Sequence, residues 1–169
     1  GTGNPSETLT NTTTAPIDVT YVYTVSANGC TNASTYSVVV TVNPTPALTS
    51  TLTPSAICSG TSFGYIPTSS TSGATYAWTR AAITSINGNT SGSGSAAVSE
   101  QLTNSSTSPV NVTYVYTVST NGCTNASTYS VVVTVNPTPQ LTSTLSPAAI
   151  CNNTVFSYTP TSSTSGATY

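Results

Sequence analysis

Val112-Thr-Tyr-Val-Tyr-Thr-Val-Ser-Thr-Asn-Gly-Cys-Thr-Asn-Ala-Ser-Thr-Tyr-Ser-Val-Val-Val-Thr-Val135 is the stretch that decides the fold. Asn121-Gly122 stands between two β-rich runs. Both loop residues of a type I′ turn need positive φ, and Asn and Gly tolerate it best. A two-residue loop predicts Thr120 opposite Cys123, Tyr116 opposite Ser127, Tyr114 opposite Tyr129 and Val112 opposite Val131. Side-chain alternation puts Val112, Tyr114, Tyr116 and Val118 on one face of the first strand. It puts Tyr129, Val131, Val133 and Val135 on one face of the second. The turn register sends both sets to the same side, whereas a one-residue slip would send them to opposite sides. The stretch therefore predicts a hairpin with one buried face.

The same stretch stands earlier, from Val19 to Val42. Cys30 and Cys58 recur as Cys123 and Cys151, each 93 residues on. From Thr20 to Ser50 the copies differ only at Ala27/Thr120 and Ala47/Gln140. A fixed long period marks a tandem array, and 93 residues are enough for each copy to close a core of its own. Residues 1–46 read as the late part of one repeat, 47–139 as a complete repeat, and 140–169 as the early part of the next. Val42-Asn-Pro-Thr-Pro46 and Val135-Asn-Pro-Thr-Pro139 read as short, semi-rigid linkers, because proline fixes φ and removes a ladder donor.

Within the complete repeat, Leu48–Leu52 reads as a weak edge strand and Ala56–Gly60 as a turn. Ser62–Ile66, Ala74–Thr79, Ala97–Thr103, Val110–Ser119 and Thr128–Val135 read as strands. Ala81–Ile86 is ambiguous, and Asn87–Gly94 reads as a Gly/Ser-rich loop. In the first copy, Glu7–Thr10 is the strand equivalent to the one around Glu100. Tyr76 and Trp78 point inward with Tyr114 and Tyr116 as core aromatics. Short strands at this spacing predict an all-β antiparallel sandwich.

Composition narrows the chemistry. Charged residues are 2% of the 169, namely Glu7, Asp18, Arg80 and Glu100, and there is no His. Nucleophilic triads lack their base. Calcium sites need several carboxylates, and zinc sites need closely spaced Cys or His. Enzymatic activity, cofactors and bound metals are therefore not expected. Phosphate binding rests on clustered Lys and Arg, so nucleic acid is not an expected partner. No apolar run reaches the ~20 residues of a membrane helix, so membrane insertion of this segment is not expected. No signal peptide is recognisable, and the chain starts in mid-repeat.

Two Cys per repeat suggest structural disulfides in an oxidising compartment. Cys30, Cys58, Cys123 and Cys151 are the candidates. In an immunoglobulin-type strand order, Cys58 and Cys123 fall at opposite ends of the sandwich, beyond the ~7 Å that a disulfide spans. Two routes stay open. The segment before Cys58 folds back to reach Cys123, or Cys58 bonds the hairpin-tip cysteine of the following repeat. Asn104-Ser-Ser106 and Asn125-Ala-Ser127 match the glycosylation acceptor pattern, which a Thr/Ser/Asn-rich chain produces by chance.

Ile57-Cys-Ser-Gly60, Tyr76-Ala-Trp78, Val115-Tyr-Thr-Val-Ser-Thr-Asn-Gly-Cys123 and Val131-Val-Val-Thr-Val-Asn-Pro137 together resemble the PKD-like and Ig-like repeats of very large secreted surface proteins of gliding Bacteroidota. The resemblance covers the whole chain. It implies a tandem extracellular β-sandwich, placed on the cell surface as the stalk or filament segment of an adhesin or gliding-motility protein. Export by the type IX route is likewise implied only by the resemblance. The expected partners are neighbouring repeats of the same chain and identical chains in a filament. The rival reading is an adhesive module that binds a carbohydrate or a protein, with Trp78 as a stacking platform. A third reading is assembly by strand complementation, because residues 1–46 hold late strands and 140–169 hold early ones.

Overall fold

The computed structural model describes residues 3–87 and 90–169. The described residues contain ten strands and no helix. They are β1 (Ile17–Ala27), β2 (Cys30–Val42), β3 (Ile57–Cys58), β4 (Thr61–Tyr65), β5 (Thr75–Arg80), β6 (Gly92–Ser95), β7 (Val98–Leu102), β8 (Val110–Thr120), β9 (Cys123–Thr124) and β10 (Tyr129–Asn136). One sheet runs β3-β10-β8-β5-β6, with β9 on β8; a second is β4-β7; a third is β1-β2. The architecture is all-β, as the alternation predicts.

The chain falls into two compact units. The first comprises Gly1–Ser50, Pro67–Ala77 and Thr117–Thr128. It holds the β1–β2 ribbon, the linker after it and the hairpin tip between β8 and β9. Asn28 and Gly29 carry φ of 51° and 80°, and Asn121 and Gly122 carry 46° and 79°. Both copies therefore make the type I′ turn that their Asn-Gly dictates.

The second unit comprises Thr51–Ile66, Trp78–Tyr116 and Tyr129–Tyr169. Its core is a two-layer sandwich. Phe63 of β4 stacks on Tyr114 of β8 with ring centroids 5.3 Å apart, and Tyr65 meets Tyr116 at 5.5 Å. Val98, Leu102, Val112, Val131, Val133 and Val135 close the core, all buried. β4 pairs antiparallel with β7, Phe63 opposite Glu100. β3 lies parallel to the end of β10, Cys58 opposite Asn136.

The hairpin register departs from the prediction by two residues. Thr120 faces Cys123 as expected. Farther out, Tyr116 faces Tyr129, Tyr114 faces Val131 and Val112 faces Val133. The first copy makes the same shift between Thr24 and Ser26. The cause is the Asn-Ala-Ser segment. Asn125 Oδ1 accepts from Ser127 N at 2.9 Å, and Asn32 Oδ1 accepts from Ser34 N at 2.9 Å. Asn side chains that bond the backbone two residues on compete with the ladder and favour turns. Because the shift is even, every side chain keeps its predicted face.

Other expectations are corrected. Glu7–Thr10 forms no strand, while the equivalent β7 is a strand because β4 pairs with it. Leu48–Leu52 forms none either, although Leu52 O accepts from Val132 N at 2.8 Å. The predicted turn at Ala56–Gly60 contains β3, and Gly60 with φ of 82° ends it. The predicted Asn87–Gly94 loop includes Gly88 and Asn89, which lie outside the described residues; its end forms β6 beside β5. Ala81–Ile86 is irregular, with Ile86 bridged to Asn104.

Candidate functional site

Two places in the repeat concentrate polar chemistry: the buried face of β5 and β7, and the hairpin tip.

On β5, alternation carries Tyr76, Trp78 and Arg80 to one face. Trp78 and Arg80 are buried and Tyr76 is half-buried, so Tyr76 is a margin residue and not the core aromatic that the sequence predicts. Trp78 meets Tyr114 edge-on at 5.3 Å. Its other side lies against β6. A Cβ added at Gly94 would fall 2.8 Å from the indole ring, and one at Gly92 3.3 Å from it. The two glycines thus let a backbone strand lie flat on the indole. The indole is closed off as a sugar platform, and its Nε1 finds no acceptor. Gly94→Val forces the ring or β6 to move. Overpacking of this kind costs ~1–3 kcal/mol. Equilibrium unfolding followed by Trp78 fluorescence checks it, and an unchanged midpoint would count against the packing.

Beside the indole, Arg80 reaches Glu100 by two hydrogen bonds. Nε donates to Oε2 at 3.0 Å and Nη2 to Oε1 at 2.7 Å. Nη1 donates to Thr90 O at 2.8 Å, and Tyr114 Oη donates to Glu100 Oε2 at 2.5 Å. Burial pushes the Glu100 carboxyl up, but the Arg80 guanidinium and the Tyr114 hydroxyl outweigh it and hold it below the usual carboxylate range. The hydrogen bond to Glu100 raises Arg80. Burial, then Glu100, pushes the Tyr114 hydroxyl well above its ordinary value. In the first copy Tyr21 donates to Glu7 at 2.5 Å, repeating the hydroxyl–carboxylate contact. The Glu100 carboxylate accepts two of these bonds on Oε2 and one on Oε1. The cluster ties β5, β7 and β8 together.

At the tip, the linker of the first copy packs against the turn of the complete repeat. Asn43 Nδ2 donates to Asn121 O at 3.2 Å, and Asn125 Nδ2 donates to Pro46 O at 2.8 Å. Pro44 and Pro46 are fully buried and Leu48 is buried. Along the next linker, Pro139 and Leu141 are exposed. The two tips differ in the same sense. Cys123 is half-buried and Cys30 exposed. Asn32, the copy of Asn125, turns to the Tyr36 hydroxyl at 2.9 Å. The tip therefore carries a set of groups that receives a preceding linker.

Asn104, which the sequence offers only as a chance glycosylation acceptor, has a structural role that sequence reasoning missed. It is 5% exposed. Its Nδ2 donates to Ser108 O at 2.8 Å and Val135 O at 2.9 Å, and its Oδ1 accepts from Ser106 N and Oγ. Asn11 repeats the pattern with Ala15 O and Val42 O. A residue buried and bonded in this way pins the loop before β8 to the end of β10. Its recurrence in both copies, one Asn followed two residues on by a hydroxyl, was the available signal.

All four cysteines are free thiols. Cys58 stands beside Asn136, where β10 ends, and Cys123 pairs with Thr120, where the antiparallel β8 ends.

Among the described residues, no three His, Cys, Asp or Glu side chains gather as a metal site. No helix among the described residues is long and apolar enough to cross a membrane. A family model described as a PKD-like domain matches residues 55–139. No curated protein and no solved structure matches the chain.

Proposed function

The chain belongs to the PKD-like domain family, and from that membership we propose that it is a non-enzymatic structural segment of an extracellular filament or adhesin stalk on a bacterial surface. Its work is reach and spacing. Its partners are its neighbouring repeats and, in a filament, identical chains. The observation that carries the reading is the seating of Asn43-Pro-Thr-Pro46 on the tip at Asn121–Asn125, with two hydrogen bonds and both prolines buried. A linker held at both ends resists bending, and arrays that contact only nearest neighbours gain length with each copy. Small-angle scattering of the full chain tests it. The native chain should scatter as a stiff particle, and Pro44→Gly with Pro46→Gly should broaden its dimensions. Equal flexibility in both would remove the reading.

The adhesive alternative loses its best residue, since the Trp78 ring is buried. Glycan or protein binding would then fall to the loops, and an array screen of the full chain reads it directly.

Assembly by strand complementation has its own supporting observation. Val38 is 53% exposed while its copy Val131 is 0% exposed, and Phe156 is exposed while its copy Phe63 is buried. A groove of about 270 Å³ is lined by Leu141, Leu145, Phe156 and Tyr158. In the complete repeat the equivalent Phe63 and Tyr65 are covered by Tyr114 and Tyr116, so the late strands of another copy fit this groove. Sedimentation at rising concentration should show a ladder of oligomers, and Tyr21→Ser with Tyr23→Ser should abolish it. A monomer at every concentration rules this route out.

A further inference from the structure

Cys58 is the Cα partner of Asn136 in the parallel β3–β10 ladder, and Ser59 N donates to Asn136 O at 2.8 Å. Partners across a ladder project their side chains to the same face. Asn136 is the copy of Asn43, 93 residues on. Asn43 sends its carboxamide to the Asn121 carbonyl of the following module, two residues before Cys123. A module seated on Asn136 in the same way brings its own tip cysteine to the side of Asn136 where Cys58 stands.

We infer that Cys58 of each repeat forms a disulfide with the hairpin-tip cysteine of the repeat that follows, cross-linking successive modules in series. The inference rests on the head-to-tail seating proposed above. Ladder neighbours stand ~4.8 Å apart. A hydrogen-bonded carboxamide and two residues of the tip lie between the ladder and the tip cysteine, and the pairing requires the two Cα atoms to come within ~7 Å. Both thiols are accessible before closure: Cys58 is exposed and Cys123 half-buried. With 169 residues and a 93-residue period, neither junction of this chain contains both members of the pair.

The oxidant is a small-molecule or protein disulfide, such as oxidised glutathione. One cysteine thiolate attacks it, forming a mixed disulfide and releasing one glutathione thiolate. The second cysteine thiolate then displaces the remaining glutathione, and the Cys–Cys bond forms. The pair loses two protons and two electrons, and the oxidant becomes two thiols. A pull along the array is then borne by a covalent bond at each junction, beside the linker.

The test uses the full chain extended after Tyr169 by a copy of its own residues 77–139, which completes the repeat begun at Gln140. In one variant Cys30→Ser, Cys123→Ser and Cys151→Ser leave Cys58 and the appended tip cysteine. In a second, Cys30→Ser, Cys151→Ser and serine at the appended tip leave Cys58 and Cys123. With oxidised glutathione, the first should lose both titratable thiols and run faster on a non-reducing gel as a monomer. The second should keep both thiols. Two thiols left in the first variant, covalent dimers in place of the internal link, or cross-linking in the second would overturn the pairing. Scattering of the reduced first variant reads the seating separately. A stiff particle without a cross-link removes the disulfide alone, and a flexible one removes the head-to-tail reading as well.

Discussion

Tyr114→Ala should cost the complete repeat about 3–5 kcal/mol, the range for removing a buried aromatic side chain and leaving a cavity. Tyr114 is 0% exposed. Its ring stacks on Phe63 and meets Trp78 in a T-shaped contact, each at 5.3 Å. Its hydroxyl donates to Glu100. The substitution removes the partner of two aromatic residues and one of the three donors to a carboxylate. Domains of this size hold only ~5–15 kcal/mol in all, so much of the repeat's stability goes. The chain has one Trp, so fluorescence in urea reports on the packing around Trp78, which Tyr114 touches. Tyr21→Ala is the internal control. The same ring in the first copy is half-exposed, and its loss should leave the Trp78 transition in place. A Tyr114→Ala cost below about 1 kcal/mol would show that the two sheets do not depend on this ring.

Arg80→Ala should cost about 3 kcal/mol, the lower end for breaking a buried ion pair. The Arg80 side chain is 1% exposed and that of Glu100 24% exposed, so the stranded carboxylate keeps some water as well as Tyr114. The pH profile separates this from simple loss of packing. In the native chain Glu100 is held below the usual carboxylate range. Its contribution is therefore present above the unfolded value of ~4.3 and lost as pH falls through the lower folded value. Without the guanidinium, only the Tyr114 hydroxyl opposes burial at Glu100, so the variant should lose less stability as pH falls than the native chain does. Only three side chains are acidic, so few other carboxylates obscure the difference. Parallel acid profiles for the two proteins would count against the ion pair. On the alkaline side burial lifts the Tyr116 hydroxyl to about 12. Its contribution is present below the unfolded value of ~10 and lost as pH rises through about 12.

The copies also show which substitutions the fold absorbs. Asp18 and Asn111 occupy the same place, and each accepts from a threonine across the ladder, Thr41 at 2.6 Å and Thr134 at 2.8 Å. The position needs an acceptor oxygen and no charge, which suits a chain with 2% charged residues.

What the residues alone determined was local. Asn-Gly set both turns, because only a few residue types accept positive φ. Period-2 alternation set the buried faces of β8 and β10, because a strand can send neighbouring side chains only to opposite sides. The 93-residue repeat set the copies. Tertiary structure decided the rest. It chose the two-residue register shift, since an Asn that bonds its own backbone and an even slip leave the hydrophobic pattern unchanged and invisible in it. It made β7 a strand and left Glu7–Thr10 unpaired, since a ladder exists only where a partner strand arrives. It drew Gly92–Ser95 onto Trp78 and placed Cys58 beside Asn136, contacts between residues that no spacing along the chain could announce.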